Sequence, residues 1–348
     1  MIKKSETLSR GGASSLLIAG LVIAVALLAG AYAWSTHNAV PRQTGPLETI
    51  TFATNTEYVG TCPIIAAREK GYFTNEGISA VIQPYSSGKA AMEAVLQGHA
   101  TLGTVADIPV MFAGMNDLPV SVIATIFKAE KDHGIVGRRD KGVVTPGSLK
   151  GKRIGVTLNT SAHFTLDAFL NLQKLSAKEV TMLNYKPEEL PAALAQGEVD
   201  AIASWEPYLD TSMSGLGSNG IVFYGQDVYE SLYNVVGMRD YIVRHPETIR
   251  KILRALAQGE QFCSDSPDAA RMLIAAGIKS DVTKLKAAWP SYRFNIVLDQ
   301  GLILALEDEA RWAIKNKLAS KSEMPNYLNY IYLDGMQTVM PATVTIIH

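Results

Sequence analysis

The stretch Leu190–Tyr208, LPAALAQGEVDAIASWEPY, decides the architecture. Leu190, Ala193 and Leu194 recur at helical spacing, and Gly197 follows where a helix turns left-handed and stops. Val199–Ala203 is then a short apolar strand, and Ser204-Trp205-Glu206-Pro207 comes directly after it. A polar and aromatic cluster at the carboxyl end of a parallel strand is where open α/β sheets receive ligands. The same order occurs in Met92–Pro109, MEAVLQGHATLGTVADIP, where a helix, Gly98, a strand over Ala100–Val105, Asp107 and Pro109 match the later stretch element by element. Two copies with the same continuation imply two similar lobes, each carrying half of a site. A further ALAQGE at Ala255–Glu260 runs on into polar sequence with no strand, so it counts as coincidence.

Working outward, β-α-β-α alternation continues on both sides and gives an α/β fold with parallel or mixed sheets. Strands are expected at Leu47–Thr54, Ile78–Tyr85, Pro119–Phe127, Arg153–Leu158, Val180–Tyr185, Ile221–Tyr224 and Tyr233–Met238. Lys128–Lys152 is rich in charge and reads as a crossover into the second lobe. Beyond Arg244 the pattern is mostly helical to about residue 319, punctuated by Pro246, Pro267 and Pro290.

Residues 1–37 stand apart. Lys3, Lys4 and Arg10 precede an uncharged apolar run over Leu16–Ala29, and Ala31-Tyr32-Ala33 has the form of a signal-peptidase site. The run approaches the ~20 residues that span a bilayer, so cleavage after Ala33 and retention as an anchor are both open. Either outcome exports the remainder, to the periplasm or the outer face of the cytoplasmic membrane. Residues 38–46 form a linker. The proposed division is 47–134 for the first part of lobe 1, 135–237 for lobe 2 with its crossovers, and 238–348 for the rest of lobe 1.

Composition excludes several classes. Among 348 residues, 47% are hydrophobic and 19% charged, with a net charge of -1, so nothing favours nucleic acid. The 2 cysteines, Cys62 and Cys263, form no metal-ligand spacing. A disulfide between them is possible in an oxidising compartment, but two buried free thiols are the simpler expectation. No HExxH, GxSxG, GxGxxG or phosphate-loop motif is present. We therefore expect no metal, no cofactor and no enzymatic activity.

Candidate ligand contacts come from strand ends. Tyr85-Ser86-Ser87-Gly88-Lys89 and Leu158-Asn159-Thr160-Ser161 each join a strand to a helix. A helix start presents unpaired N–H groups and a partial positive charge, so these hydroxyls either cap the helix or serve a shared anion site. Trp205 is a ligand wall or a core residue. Glu206 binds a ligand ammonium or starts the following helix, and Asp107 has the same ambiguity in the first lobe. His163 is retained as a possible contact.

These residues also fall into an ordered set. Gly71–Gly77 (GYFTNEG), SSGKAAMEAVLQGHATLG, LKGKRIGV followed by TSAHF, ALAQGEVDAIASWEPY and the closing NYLNYIYLDGMQTVMPATVTII resemble one family. It comprises the extracytoplasmic substrate-binding proteins of ABC importers for taurine, alkanesulfonates, nitrate and thiamin-pyrimidine precursors. The resemblance covers residues 47–348. It implies a two-lobed periplasmic-binding-protein fold of type II, with two crossover strands near Ile135–Arg138 and Asn234–Met238 and a ligand clamped between the lobes. Carried over by position, the pocket would comprise Thr56, Tyr58, Ser87, Gly88, Asp107, Thr160, Ser161, His163, Trp205 and Glu206. Ala106-Asp107 replaces the Gly-Ser pair of taurine-type members, so acids at Glu57, Asp107 and Glu206 would suit a zwitterion or amine. The implied role is capture of a small anionic or zwitterionic solute by a monomer that delivers it to a permease in the cytoplasmic membrane. A membrane-anchored sensory module and a thiamin-pyrimidine-precursor protein are the alternatives.

Overall fold

A computed structural model describes residues 45–225, 228–278 and 282–347. The segment 1–37, expected from the sequence to be a signal or anchor, lies outside the described residues. Among the described residues no helix is long and apolar enough to cross a membrane.

Among the described residues eleven strands build two sheets. The first contains β1 (Glu48–Thr54), β2 (Ile78–Pro84), β3 (Leu102–Ala106), β4 (Val120–Ala129), β10 (Ser231–Met238) and β11 (Tyr292–Val297), in the order β11-β4-β10-β3-β1-β2. The second contains β5 (His133–Arg138), β6 (Arg153–Val156), β7 (Thr181–Asn184), β8 (Ala201–Trp205) and β9 (Gly220–Tyr224), ordered β7-β6-β8-β5-β9. β1 is parallel to β2 and β3, and β6 is parallel to β7 and β8. β10 and β5 run antiparallel to their neighbours. The chain leaves the first sheet between β4 and β5 and returns between β9 and β10. The two-lobed α/β architecture with paired crossovers is therefore present, and the repeat seen in the sequence places β3 and β8 at equivalent positions.

The physical reasons follow the pattern. β4 is buried along nearly its whole length, which is why VSVIATIFKA reads as an apolar run rather than an alternation. Gly98 and Gly197 both adopt φ above +70°, ending their helices in the left-handed conformation.

The crossover strand expected near Ile135–Arg138 is present: His133–Arg138 forms β5, its backbone paired on both sides and almost wholly buried. Two expectations are corrected. The tract read as helical beyond Arg244 contains β11, an edge strand paired with β4. The cysteines are not free thiols. Cys62 begins the Cys62–Glu69 helix, Cys263 lies near the end of the Pro246–Asp265 helix, and the pair forms a disulfide with Cα atoms 6.3 Å apart. Gly259 lets these helices meet, since a Cβ there would sit 2.1 Å from the Pro63 carbonyl oxygen. No sequence pattern reveals that approach across a separation of 201 residues.

Candidate functional site: an interlobe cleft between two helix starts

A small cleft lies between the sheets. From the first lobe and the returning strand it is lined by Asn55, Tyr58, Ser87, Gly88, Lys89, Ala106, Pro109, Ser231 and Tyr233. From the other side come His133, Thr160, Ser161 and Trp205.

Two helix amino termini meet here. Ser87 caps the Gly88–Leu96 helix, its Oγ accepting from the Ala90 N–H at 3.2 Å. Accepting leaves the hydroxyl proton available to a solute. Gly88 is required by crowding, because a Cβ would stand 2.9 Å from the Val105 Cα and 3.1 Å from the Ala106 nitrogen. The Ser161–Leu172 helix begins after Asn159, which takes φ 61°. Thr160 gives its hydroxyl proton to the Thr157 carbonyl at 2.7 Å and does not cap the helix, so the Ser161 and Ala162 N–H groups at its start have no side-chain cap. Lys89 reaches across the cleft, Nζ lying 3.5 Å from the Leu158 carbonyl oxygen.

Behind the surface runs a polar chain. His133 Nε2 is 2.8 Å from Ser161 Oγ, and His133 Nδ1 is 2.8 Å from Asp132 Oδ1. The other Asp132 oxygen accepts from the Tyr58 hydroxyl, which also lies 3.1 Å from Ser231 Oγ. Burial first, and then the Asp132 charge, holds the Tyr58 hydroxyl well above its ordinary range, so it stays a donor. Trp205 forms the wall beside His133, their ring centres 6.0 Å apart.

The ten residues expected at the site separate. Tyr58, Ser87, Gly88, Thr160, Ser161 and Trp205 line this cleft; Thr56, Asp107, His163 and Glu206 do not. Asp107 is fully buried behind Ala106, with Oδ1 accepting from the Tyr229 hydroxyl at 2.6 Å. Desolvation raises its carboxyl to about 6, and Glu309 beside it is pushed well above the carboxylate range by burial and then by the Asp107 charge. His163 is buried against Trp312, and its Nδ1 accepts from the Asn159 N–H; burial lowers its pKa. Glu206 accepts from the Asp210 N–H at the start of the Tyr208–Leu216 helix and, with Glu57, borders a separate cavity. Burial, ahead of the Asp210 and Asp132 charges, raises Glu206 to about 7. No acid expected from the sequence therefore faces the cleft. Among the described residues no cluster of histidine, cysteine or acidic side chains could hold a metal ion.

Sequence reasoning missed Asn55, Lys89, His133, Ser231 and Tyr233. Lys89 was visible in the quoted YSSGK junction, where a cation one residue past a helix start was the overlooked signal. His133 sat in a charged run, and its partner Ser161 is remote in sequence. Ser231 and Tyr233 open the returning strand, whose proximity depends on topology alone.

The lobes also touch away from the cleft. Trp312 Nε1 donates to Asp167 at 2.9 Å, Lys284 pairs with Asp210 at 2.8 Å, and the Tyr208 hydroxyl lies 3.4 Å from Glu57.

Residues 59–270 match the family model described as NMT1/THI5 like, and the chain belongs to that family. A putative aliphatic sulfonates-binding protein of Bacillus subtilis (strain 168) is 24% identical over 271 residues, covering 74% of this chain and 80% of its own length. The taurine-binding periplasmic protein of Escherichia coli (strain K12) is 24% identical over 209 residues, 59% of this chain and 63% of the relative. Among solved structures, the alkanesulfonate-binding protein of Xanthomonas axonopodis pv. citri, bound to MOPS, superposes with a TM-score of 0.72. It shares 19% identity and covers 83% of this chain and 99% of its own. That likeness shows the fold, a periplasmic-binding-protein fold.

Proposed function

We propose that this member of the NMT1/THI5-like family is the extracytoplasmic solute-binding component of an ABC importer, clamping a small organic anion of the sulfonate class and passing it to a permease. One observation carries the reading. Two helix starts and the Lys89 ammonium converge on a cleft whose lining includes no carboxylate. Helix N-termini favour negative charge and present backbone donors, and Ser87 adds a hydroxyl donor. Trp205 and Tyr233 offer apolar surface for a short organic tail. The names of the relatives support a sulfonate over an inorganic ion. The zwitterion suggested by Asp107 and Glu206 loses its basis, because neither carboxyl faces the cleft. A sulfonate with an uncharged tail is therefore favoured over one carrying an ammonium. The role also entails export and action as a monomer.

The test is a thermal-shift panel of methanesulfonate, ethanesulfonate, taurine, nitrate and small amines. Ligand at 100 times its Kd stabilises the folded state by ~2.7 kcal/mol. Stabilisation by the sulfonates, with taurine weaker and amines silent, supports the reading; stabilisation by amines alone overturns it. Sequencing the mature amino terminus from cells separates a released protein from an anchored module.

A further inference from the structure

The chain Ser161–His133–Asp132 has a geometry that anion capture does not require. His133 bridges two groups: its Nδ1 lies 2.8 Å from Asp132 Oδ1 and its Nε2 lies 2.8 Å from Ser161 Oγ. In the neutral tautomer with its proton on Nδ1, the carboxylate accepts from Nδ1 and Nε2 is free to accept the Ser161 hydroxyl proton. Asp132 is itself held by the Tyr58 hydroxyl, and the buried Asp132 and His133 side chains have little freedom to leave this arrangement. Ser161 and His133 both line the cleft, so the hydroxyl is within reach of a bound molecule. Ser161 is also the first residue of its helix. The His163 and Phe164 N–H groups turn back onto the Thr160 carbonyl. The Ser161 and Ala162 N–H groups therefore sit at the open helix end beside Oγ, where an oxyanion would develop.

We infer that Ser161 is an activated nucleophile, with His133 as its general base and Asp132 as the positioning carboxylate, and that the cleft accepts acyl or sulfonyl transfer from small activated esters. Ser161 Oγ forms a bond to the carbonyl carbon while its proton passes to His133 Nε2. The bond to the leaving alcohol breaks, and that oxygen takes the proton back from Nε2. Water then adds to the acyl-serine, giving a proton to Nε2, and Ser161 Oγ departs with it; the products are an acid and an alcohol. Nucleophile, base and orienting acid are recognised here by geometry and roles. With a sulfonyl fluoride the same first step expels fluoride and stops at the sulfonylated serine.

The experiment uses the exported protein with phenylmethanesulfonyl fluoride, read by intact mass and peptide mapping, and with para-nitrophenyl acetate, read by nitrophenolate release. The expected result is one phenylmethanesulfonyl group per chain, located on Ser161, with labelling slowed by a saturating sulfonate if that solute occupies the cleft. Ser161→Ala abolishes the label, and His133→Gln slows it by ~10²-fold or more. Asp132→Asn lowers kcat for para-nitrophenyl acetate with KM little changed, which a mere loosening of the cleft would not do. An unlabelled wild-type protein, or a label mapped to any other residue, overturns the inference whatever the variants do. Because solute binding is measured separately, a protein that binds sulfonates but resists labelling refutes this step and leaves the capture role intact.

Discussion

Replacing Cys62 and Cys263 together by alanine removes a disulfide that closes a long loop. Both side chains are fully buried, and the bond closes a loop across 201 residues. In the chain-entropy treatment, cross-linking a loop of that length removes ~5 kcal/mol of unfolded-state freedom at 25 °C, at the upper end of what disulfides contribute. Losing two buried sulfur atoms adds a packing term of the same sign. The roughly 300 residues of Gly45–His348 melt with an entropy near 0.6 kcal/mol per degree. The double variant should therefore melt ~8 °C lower, and dithiothreitol should move the wild type in the same direction. The assay is calorimetry with and without reductant, joined to thiol counting. Unfolded, unreduced wild type should yield no alkylatable thiol, and prior reduction should yield both. Two thiols alkylated without reduction would refute the bond, and a shift below ~2 °C would refute the magnitude.

Other outcomes follow from the same geometry. Asp107 and Glu309 have folded-state pKa values raised by burial, so the folded protein holds more protons than the unfolded chain between about pH 4 and 6 and above. Their contribution is complete below pH 4 and is lost as pH rises, with Asp107 alone accounting for on the order of 3 kcal/mol. Thermal melts should fall from pH 5 to pH 8, and Glu309→Gln, which removes one of the two raised carboxyls, should flatten that fall; an equal slope in the variant would exclude Glu309 as a contributor. Gly259→Ala places a Cβ against the Pro63 carbonyl oxygen. The ~1 kcal/mol gained in helix propensity is outweighed by overpacking of ~3 kcal/mol, so urea unfolding should show a net loss, and equal stability would mean the two helices yield easily. Gly88→Ala drives a Cβ into the end of β3 and should weaken solute binding more than it lowers the melting temperature, as compared by titration and melting of the same sample.

The fold was legible because its signals are local. Gly98 and Gly197 announced two helix ends, and the apolar runs after them announced strands, so both sheets could be anticipated before any contact was known. β5 was anticipated only as a crossover near Ile135–Arg138, because HGIVGR is buried by strands on both sides while its ends carry charge. β11 escaped although YRFNIV alternates buried and more exposed residues, because it follows a proline-punctuated helical tract. At the site, the residues read from strand-to-helix junctions, Ser87, Gly88, Thr160 and Ser161, reach the cleft because backbone geometry puts them there. Asp107 and Glu206 occupy equivalent strand ends yet turn away, and what turns them is tertiary: Tyr229 and Glu309 hold the first, and the start of the Tyr208–Leu216 helix holds the second. His133 and Lys89 needed the same long-range knowledge. Burial of a disulfide between distant helices is equally invisible in composition.

The central claim, that Lys89 and two helix starts make the cleft an anion clamp, is tested most directly by isothermal titration of methanesulfonate into wild type and Lys89→Met. The account predicts one site per chain in the wild type. Loss of the charge-assisted contact, worth ~1.5–3 kcal/mol, should weaken binding by about 10- to 150-fold in the variant. Unchanged affinity in Lys89→Met, or a wild type that binds ammonium solutes and no sulfonate, would contradict it.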